Sequence, residues 1–375
     1  MSKSFFRRFT KKFFITANII LALLFLLGCY ASWFNPKYWW LLGFLTLAAL
    51  YLLLLLFIFI FFWLFVKPRY CIISLLTIIL AYKPIINIIP IRLAQPFIKQ
   101  KHPLQLRIMS WNVEHFDILE HKTHPEIKKQ MEDLVNEFYP DIACYQEMVG
   151  SDDTPGAINY VFSLQSQLNF SDYHYSYNPK LDFDGDHHFG LIIFSKYPII
   201  NKQTVSFYPY DYNSIFQYAD IVKTSDTIRV FNIHLQSLKF SASNLNYINN
   251  PSVKDEIDLQ KSKNIISKLK VGFIRRKIQA ERIKEEMKKS PYPIIVCGDF
   301  NDVPNSYAYD VIGKGMKNAF VEKGAGLGRT FSGISPTLRI DNIFVDKKFT
   351  VDQFTRVKKK LSDHFPIIAD IDLNH

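Results

Sequence analysis

The chain has 375 residues, 49% of them hydrophobic and 21% charged, which excludes a disordered or collagen-like polymer and suits a two-part layout. Its formal net charge of +11 is unevenly placed: residues 1–100 hold 11 of the 45 Lys and Arg and none of the 34 Asp and Glu, leaving 34 of each sign in the other 275. The basic excess belongs to the N-terminal part, so the overall charge is no argument for a nucleic-acid-binding surface.

Phe13 to Phe34 is a run of 22 residues without a charge and Tyr38 to Val66 one of 29, against roughly 20 needed to cross a bilayer as helix. Both are expected to span. Tyr70 to Pro90 is also apolar but carries Lys83 and Pro84, so it reads either as a third span with a snorkelling lysine or as a helix lying in the interface. Lys3, Arg7, Arg8, Lys11 and Lys12 precede the first run, which predicts a cytoplasmic N-terminus. Three spans then place the rest of the chain outside the cytoplasm, and two leave it inside. Leu26-Leu27-Gly28-Cys29 has the look of a lipoprotein cleavage box, but the long apolar run that follows favours an uncleaved, multi-pass membrane protein. The expected division is a membrane anchor over residues 1–90 (spans near 13–34, 38–66 and 70–90), a Pro-containing linker over 91–106, and one domain over 107–375.

In that domain, strand-like runs rich in Ile, Val and Phe are expected at Leu106–Trp111, Ile142–Gln146, Leu191–Phe194, Thr227–Ile233, Ile294–Cys297, Asn342–Val345 and Ile367–Ile371. Pro125–Phe138 reads as an amphipathic helix with Ile127, Met131, Leu134, Val135 and Phe138 on one face and Thr123 as its cap. Val253–Lys289 has helical periodicity and twelve basic residues against six acidic ones from Lys254 on, read as a solvated face rather than a lipid or nucleic-acid contact. Cys29, Cys71, Cys144 and Cys297 lack the spacing of a zinc site or a disulfide framework, and the last two read as small buried hydrophobes.

Polar residues gather where these strands end, the place where α/β folds expose working groups. Asn112 closes the first strand, Glu147 follows the second, His234 ends the Thr227 run, Asp299 and Asn301 follow the Ile294 run, Asp341 opens another strand, and Asp363-His364 precede the last. Glu147 and Asp363 offer hard anionic oxygen and Asn112 neutral oxygen, a donor set suited to Mg²⁺ or Mn²⁺. His234 and His364 suit hydrogen bonding to a phosphate or proton transfer, Asp341 would fix a histidine tautomer, and Asp299 beside Asn301 would position and deprotonate a water.

Ser110-Trp111-Asn112-Val113, Tyr145-Gln146-Glu147, Asn232-Ile233-His234-Leu235, Gly298-Asp299-Phe300-Asn301-Asp302, Arg339-Ile340-Asp341-Asn342-Ile343-Phe344 and Ser362-Asp363-His364-Phe365-Pro366 resemble, in order, the signature blocks of the endonuclease/exonuclease/phosphatase superfamily. The resemblance spans about Arg107 to Leu373. It implies an α/β fold, a four-layer sandwich of two mainly antiparallel sheets with helices outside, and Mg²⁺-dependent hydrolysis of a phosphoester by direct attack of water. By motif, Glu147 is similar to the family's main metal ligand, with Asn112 and Asp363 completing the metal and phosphate site. Asp299 and Asn301 resemble the water-activating and phosphate-orienting pair, His364 and Asp341 the family's His/Asp pair, and His234 the second phosphate-contacting histidine.

The substrate stays open between nucleic acid and a phospholipid or its headgroup. Lys358 to Lys360 form only a local basic patch, and the anchor makes bilayer lipid available. Nothing calls for an obligate protein partner. A non-catalytic binding module of the same fold would be expected to have lost Glu147, Asp299 or His364, and all three are present. Weaker candidates are the acidic loop Asp182 to Asp186, read as a plain polar loop, His115, His187 and His188, and Arg329 as a phosphate contact.

Overall fold

The computed structural model describes residues 3–120, 122–151, 159–178, 186–206, 215–249 and 256–373. The N-terminal part is helical: α1 (Lys3–Cys29), α2 (Pro36–Trp39), α3 (Leu42–Leu47), α4 (Ala49–Val66), α5 (Cys71–Leu80) and α6 (Tyr82–Ile88). Two helices are long and apolar enough to cross a membrane, over Arg8–Cys29 and Ala49–Val66. The long second apolar run is thus three helices rather than one, with breaks before Leu42 and at Ala48. The third apolar segment is a helix pair bent by 68° between Leu80 and Tyr82, with Pro84 just beyond the bend. It packs on the first helix through a buried hydrogen bond from Ser74 Oγ to Asn18 Oδ1 of 2.9 Å, a polar tie of the kind that joins helices in an apolar medium.

The remaining elements run β1 (Gln105–Asn112), α7 (Pro125–Phe138), β2 (Ile142–Ser151), α8 (Tyr160–Gln167), β3 (Asp172–Tyr177), β4 (His187–Ser195), β5 (Ile199–Ser206), β6 (Ile215–Lys223), β7 (Asp226–His234), α9 (Ala242–Asn249), α10 (Glu256–Lys288), β8 (Ile294–Asp299), α11 (Tyr307–Gly313), β9 (Met316–Asn318), α12 (Ala319–Lys323), β10 (Asp341–Asp346), β11 (Thr350–Arg356) and β12 (Ile367–Asp372). They form two six-stranded sheets, β11-β12-β1-β2-β4-β3 and β5-β6-β7-β8-β10-β9. Each has one parallel pair, β1 with β2 and β7 with β8, in an otherwise antiparallel ladder. α7 caps the first sheet with Met131, Leu134, Val135 and Phe138, and α10 and α11 cap the second with Ala280, Ile283, Met287 and Ile312. These are the four layers expected from the sequence. Thr123 is not the cap of α7: His124 holds that position without a side-chain capping bond, and Pro125 starts the helix, where its missing N–H has no partner to lose.

Between the sheets lies a core that includes Leu106, Ile108, Cys144, Ile228, Val230, Ile295, Cys297, Ile343 and Val345. Alternate residues of a strand share a face, so the same register carried to the strand ends brings Asn112, His234, Asp299 and Asp341 onto the inner face too. The site is the end of the core layer, where Ile and Val give way to polar side chains. The four cysteines are buried and unpaired. Of the acidic loop, Asp182 to Gly185 lie outside the described residues.

Candidate active site

Glu147 is the exception to this register. With Cys144 facing the inner core, alternation sends Gln146 inward and Glu147 outward. The ladder between β2 and β4 pairs Tyr145 with Ile192 and then Met148 with Gly190, so two residues of β2 oppose one of β4. This is a β-bulge, which can re-aim a side chain, and Glu147 adopts φ +56° within it. Its carboxylate then meets the inner-face group, with Oε1 3.1 Å from Asn112 Nδ2. Across the bulge the second sheet supplies a mend: Asn232 Nδ2 donates to Tyr145 O (2.9 Å) and Ile192 O (2.8 Å), and its Oδ1 accepts from Gln146 Nε2 (2.7 Å).

Asp299 occupies the centre. Its Oδ1 accepts from the Asn301 backbone N–H at 2.7 Å, and its Oδ2 from Asn301 Nδ2 at 3.1 Å and Asn112 Nδ2 at 3.3 Å. The preceding Gly298 has φ +144°, and a Cβ there would lie 1.9 Å from Ile233 O, so only glycine lets β8 run this close to β7. His364 Nδ1 and Asp341 Oδ2 are 2.9 Å apart, both buried, while His364 Nε2 is 3.7 Å from Asp299 Oδ2. His234 Nε2 lies 3.7 Å from Glu147 Oε1 and 3.5 Å from Asp299 Oδ2. Among the described residues it finds no hydrogen-bond partner, so a buried ring nitrogen stands ready for a group that enters the site.

The electrostatics follow from this packing. Burial pushes Asp299 up to about 7, against the pull of His364. Burial pushes His234 down to about 4, against the pull of Glu147. In His364 burial again opposes the charge, but Asp341 and Asp299 outweigh it and hold the ring well above the ordinary imidazole value. For Glu147 burial disfavours the anion, yet His234, His115 and the Asn112 amide together keep the carboxyl below its usual range. The group therefore combines an anionic carboxylate, a carboxyl poised near neutrality, a cationic imidazole and a neutral one.

All eight expected residues converge. Seven line one cavity of about 260 Å³, and Asp341 stands behind His364. Their arrangement departs from the expected metal set in two ways. Asn112 turns Nδ2 toward the carboxylates, while its Oδ1 accepts from the Glu114 N–H at 3.2 Å, and Asp363 sits at the rim with its side chain 43% exposed. Among the described residues, the group of metal-ligating types that comes together is instead Asp299, Asp341 and His364, whose ligand atoms lie within 4.8 Å of one another. Asp341 and His364 are already bonded to each other, whereas the Glu147 carboxylate is 30% exposed and opens into the cavity, so Glu147 is the better placed of these carboxylates to receive an ion.

The structure also draws in residues that had no clear signal. Glu114 Oε2 accepts the Asp363 N–H at 2.8 Å, and His115 Nε2 is 3.3 Å from Glu147 Oε2. Arg329 lies outside the lining of this cavity, and its guanidinium holds the turn at Phe331, Ser332 and Gly333 through their carbonyls. His187 and His188 begin β4 outside the lining of this cavity, and the His188 ring stacks on Tyr177 at 4.1 Å.

The lining also holds apolar side chains, Leu238, Phe240, Leu245, Leu269 and Phe273 together with Leu47 from the N-terminal helices, beside Ser237, Lys239 and Arg276. None of these was legible as part of a site, since each reads as an ordinary core or surface residue.

Comparison with known proteins places this geometry. Residues 109–364 match the model of the endonuclease/exonuclease/phosphatase family, and residues 11–88 match a domain of unknown function, DUF8431. No curated protein sequence matches the chain. Among solved structures, an endonuclease/exonuclease/phosphatase from Bacteroides vulgatus is similar over 72% of this chain and 99% of its own, at 19% identity and a TM-score of 0.53. A functionally unknown conserved protein from Enterococcus faecalis covers 71% of this chain and 99% of its own at 17% identity and TM-score 0.51. A family protein from Bacteroides thetaiotaomicron covers 72% and 98% at 17% identity and TM-score 0.50. At these identities the structural likeness speaks for the fold, and the family match spans the strand-end residues from just before Asn112 to His364, so the chain belongs to the endonuclease/exonuclease/phosphatase family.

Proposed function

We propose that this protein is a membrane-anchored hydrolase of phosphoesters that works with a divalent metal and direct attack of water. The observation that carries the reading is Asp299, held by Asn301 and Asn112 between an imidazole kept cationic and one kept neutral. Asn301 fixes the Asp299 carboxylate through two hydrogen bonds, and burial raises its proton affinity toward neutrality, the condition for accepting a proton from water. His364, oriented and charged by Asp341, offers Nε2–H to a phosphate oxygen on which negative charge grows. His234 offers its unpartnered Nε2 from the other side.

The donor set fits a hard divalent ion. Glu147 is anionic and open to the cavity, Asp363 stands at the rim, and the described residues put no thiol in the site. Glu147 would hold the ion, Asp363 would complete its shell, and Asn112 would pin the Glu147 and Asp299 carboxylates. When bound, Mg²⁺ or Mn²⁺ supplies Lewis-acid stabilisation of phosphate charge.

The multi-pass, extracytoplasmic reading has its own support. The domain touches the chain between the first two candidate spans, as in Phe44 against Phe273 at 5.7 Å. It also touches the C-terminal end of the third, bent segment, as in Arg339 Nη1 to Ile88 O at 3.1 Å. Both segments then lie on one side of the bilayer, as three crossings require, with Arg8, Lys11 and Lys12 at the other end of α1 on the cytoplasmic side.

The test is hydrolysis by the full chain in detergent micelles, with and without Mg²⁺, on soluble diesters and monoesters. EDTA abolishes turnover, and Asp299→Asn and His364→Ala each lower kcat by about 10³-fold or more with an unchanged circular dichroism spectrum. Full activity in both variants would refute the assigned site.

A further inference from the structure

The cavity is lined by two chemically different sets of side chains, and one member of the apolar set, Leu47, comes from the N-terminal helices. The polar set includes Glu147, Asp299 and His364, and the apolar set Phe240, Leu269, Phe273 and Leu47. Leu47 ends α3, two residues before the helix Ala49–Val66 that is apolar enough to cross a bilayer. One further contact ties the cavity to that helix, and two tie the domain to the segment just before it. Tyr51, in the first turn of α4, has its hydroxyl 3.1 Å from Ser335 Oγ, next to the lining residue Ile334. The Phe44 ring meets Phe273 edge to face, and the Lys270 ammonium lies 5.1 Å from the Trp40 ring centre. The apolar lining therefore adjoins, through Leu47, the start of a helix apolar enough to cross a bilayer.

This lining is unsuited to a nucleic acid. Among the described residues, the cations lining the cavity are Lys239, Arg276 and the His364 imidazole at the reacting centre, and Arg276 Nε is already committed to Asp302 at 3.1 Å. A polyanion needs several unpaired cations along its path. An alkyl chain needs apolar surface and a low-cost route out of water, and both are present.

Resting on the phosphoesterase reading above, we propose that the substrate is an amphiphilic phosphoester of the bilayer, a phospholipid. Its phosphate sits at Asp299 and His364, and the first methylenes of its chains lie against Leu47, Phe240 and Phe273. The rest of each chain stays in the membrane beside α4. The anchor is on this account part of the binding site and sets specificity for chain length.

The experiment compares kcat/KM of the full chain, reconstituted with Mg²⁺ in mixed micelles, on four probes: a dioleoyl phospholipid, its dibutyryl analogue, bis(p-nitrophenyl) phosphate and a single-stranded oligodeoxynucleotide. The expected result is a preference of about 100-fold for dioleoyl over dibutyryl substrate, as a few buried methylenes provide. Leu47→Gln lowers that preference about tenfold, and Leu245→Asn, on another element of the same lining, does the same should Leu47→Gln fail to fold. Equal kcat/KM for long and short chains overturns the proposal, as does a preference unchanged in both variants. Hydrolysis of the oligonucleotide or the soluble diester without any phospholipid also overturns it and leaves the phosphoesterase standing. No turnover of any probe removes both.

Discussion

Asn232 offers a direct test of how Glu147 comes to be in the site. Its amide joins one sheet to the bulge of the other through three hydrogen bonds of 2.7–2.9 Å, at a position with no solvent exposure. Asn232→Leu keeps the size of the side chain and removes all three bonds. Gln146 Nε2 keeps the Cys144 carbonyl at 3.1 Å and Ser110 Oγ at 3.4 Å, so the loss falls on the Tyr145 and Ile192 carbonyls. An orphaned buried carbonyl costs about 1–3 kcal/mol, and the added apolar burial of leucine offsets part of the sum, leaving a destabilisation of about 3 kcal/mol. That is a large share of the ~5–15 kcal/mol that holds a domain together. Chemical unfolding of the full chain in micelles, followed by tryptophan fluorescence, reads the stability, and calorimetric titration with Mn²⁺ reads the site. The bulge should relax toward ordinary alternation, turning Glu147 outward and weakening metal binding about tenfold or more. A loss below about 1 kcal/mol together with unchanged Mn²⁺ affinity would mean that the bulge holds without the second sheet, and the reasoning would fall.

Gly298→Ala sets a methyl group 1.9 Å from Ile233 O at a φ of +144°, so β7 and β8 must separate; the melting temperature should drop by about 10 °C or more, and a wild-type melt would contradict the packing. Asp341→Asn keeps a hydrogen-bonding group beside His364 but removes the charge that holds the ring cationic. The expected fall in kcat is about 10²–10⁴-fold with intact circular dichroism, and the residual activity should favour lower pH, because the ring now loses its proton earlier. Asp310 is held up at about 6 by burial, against the pull of the Ser32 hydroxyl. Its folded-state value exceeds the unfolded one of 3.8, so its ionised form weighs against folding: the stability is fully present below the unfolded value and lost as pH rises through about 6. Asp310→Asn should then add of the order of 2 kcal/mol at pH 8 and nothing near pH 4, read as paired thermal melts.

The seven expected strands are all present, and five others were not legible. Four of these, β3, β5, β9 and β11, are the edges of the two sheets. An edge strand leaves one side of its ladder to water and buries little, so Asn201-Lys202-Gln203-Thr204 carries no apolar alternation, and β3 shows its alternation only through Tyr173 and Tyr175, which pack on the core with half-buried rings. The fifth, β6, lies inside its sheet but hides its pattern behind Gln217, a buried acceptor for Ser176, and Asp220, the ion-pair partner of Arg229. For the site, period-two spacing within each strand accounts for Asn112, His234, Asp299 and Asp341 on the inner face. That rule gives the wrong face for Glu147, and only three-dimensional pairing reveals the extra residue. The apolar lining and Glu114 were hidden for another reason: their roles depend on which distant segments pack against them.

Arg339 bears on whether the two parts of this protein are separable. Two residues before Asp341, its guanidinium is almost wholly buried, and it donates to the Ile88 carbonyl at 3.1 Å, to the Asn87 carbonyl and to the Leu327 carbonyl at 3.3 Å. Two of its three acceptors thus belong to the helical segment. Excising residues 1–100 would strand this cation beside the strand that orients His364, and open to water the face that Leu47 and Phe44 cover. The fragment would be a damaged enzyme, where a true tether could be cut without consequence. The helical segment is thus built into the fold beside the strand that carries Asp341, and is no removable appendage to it.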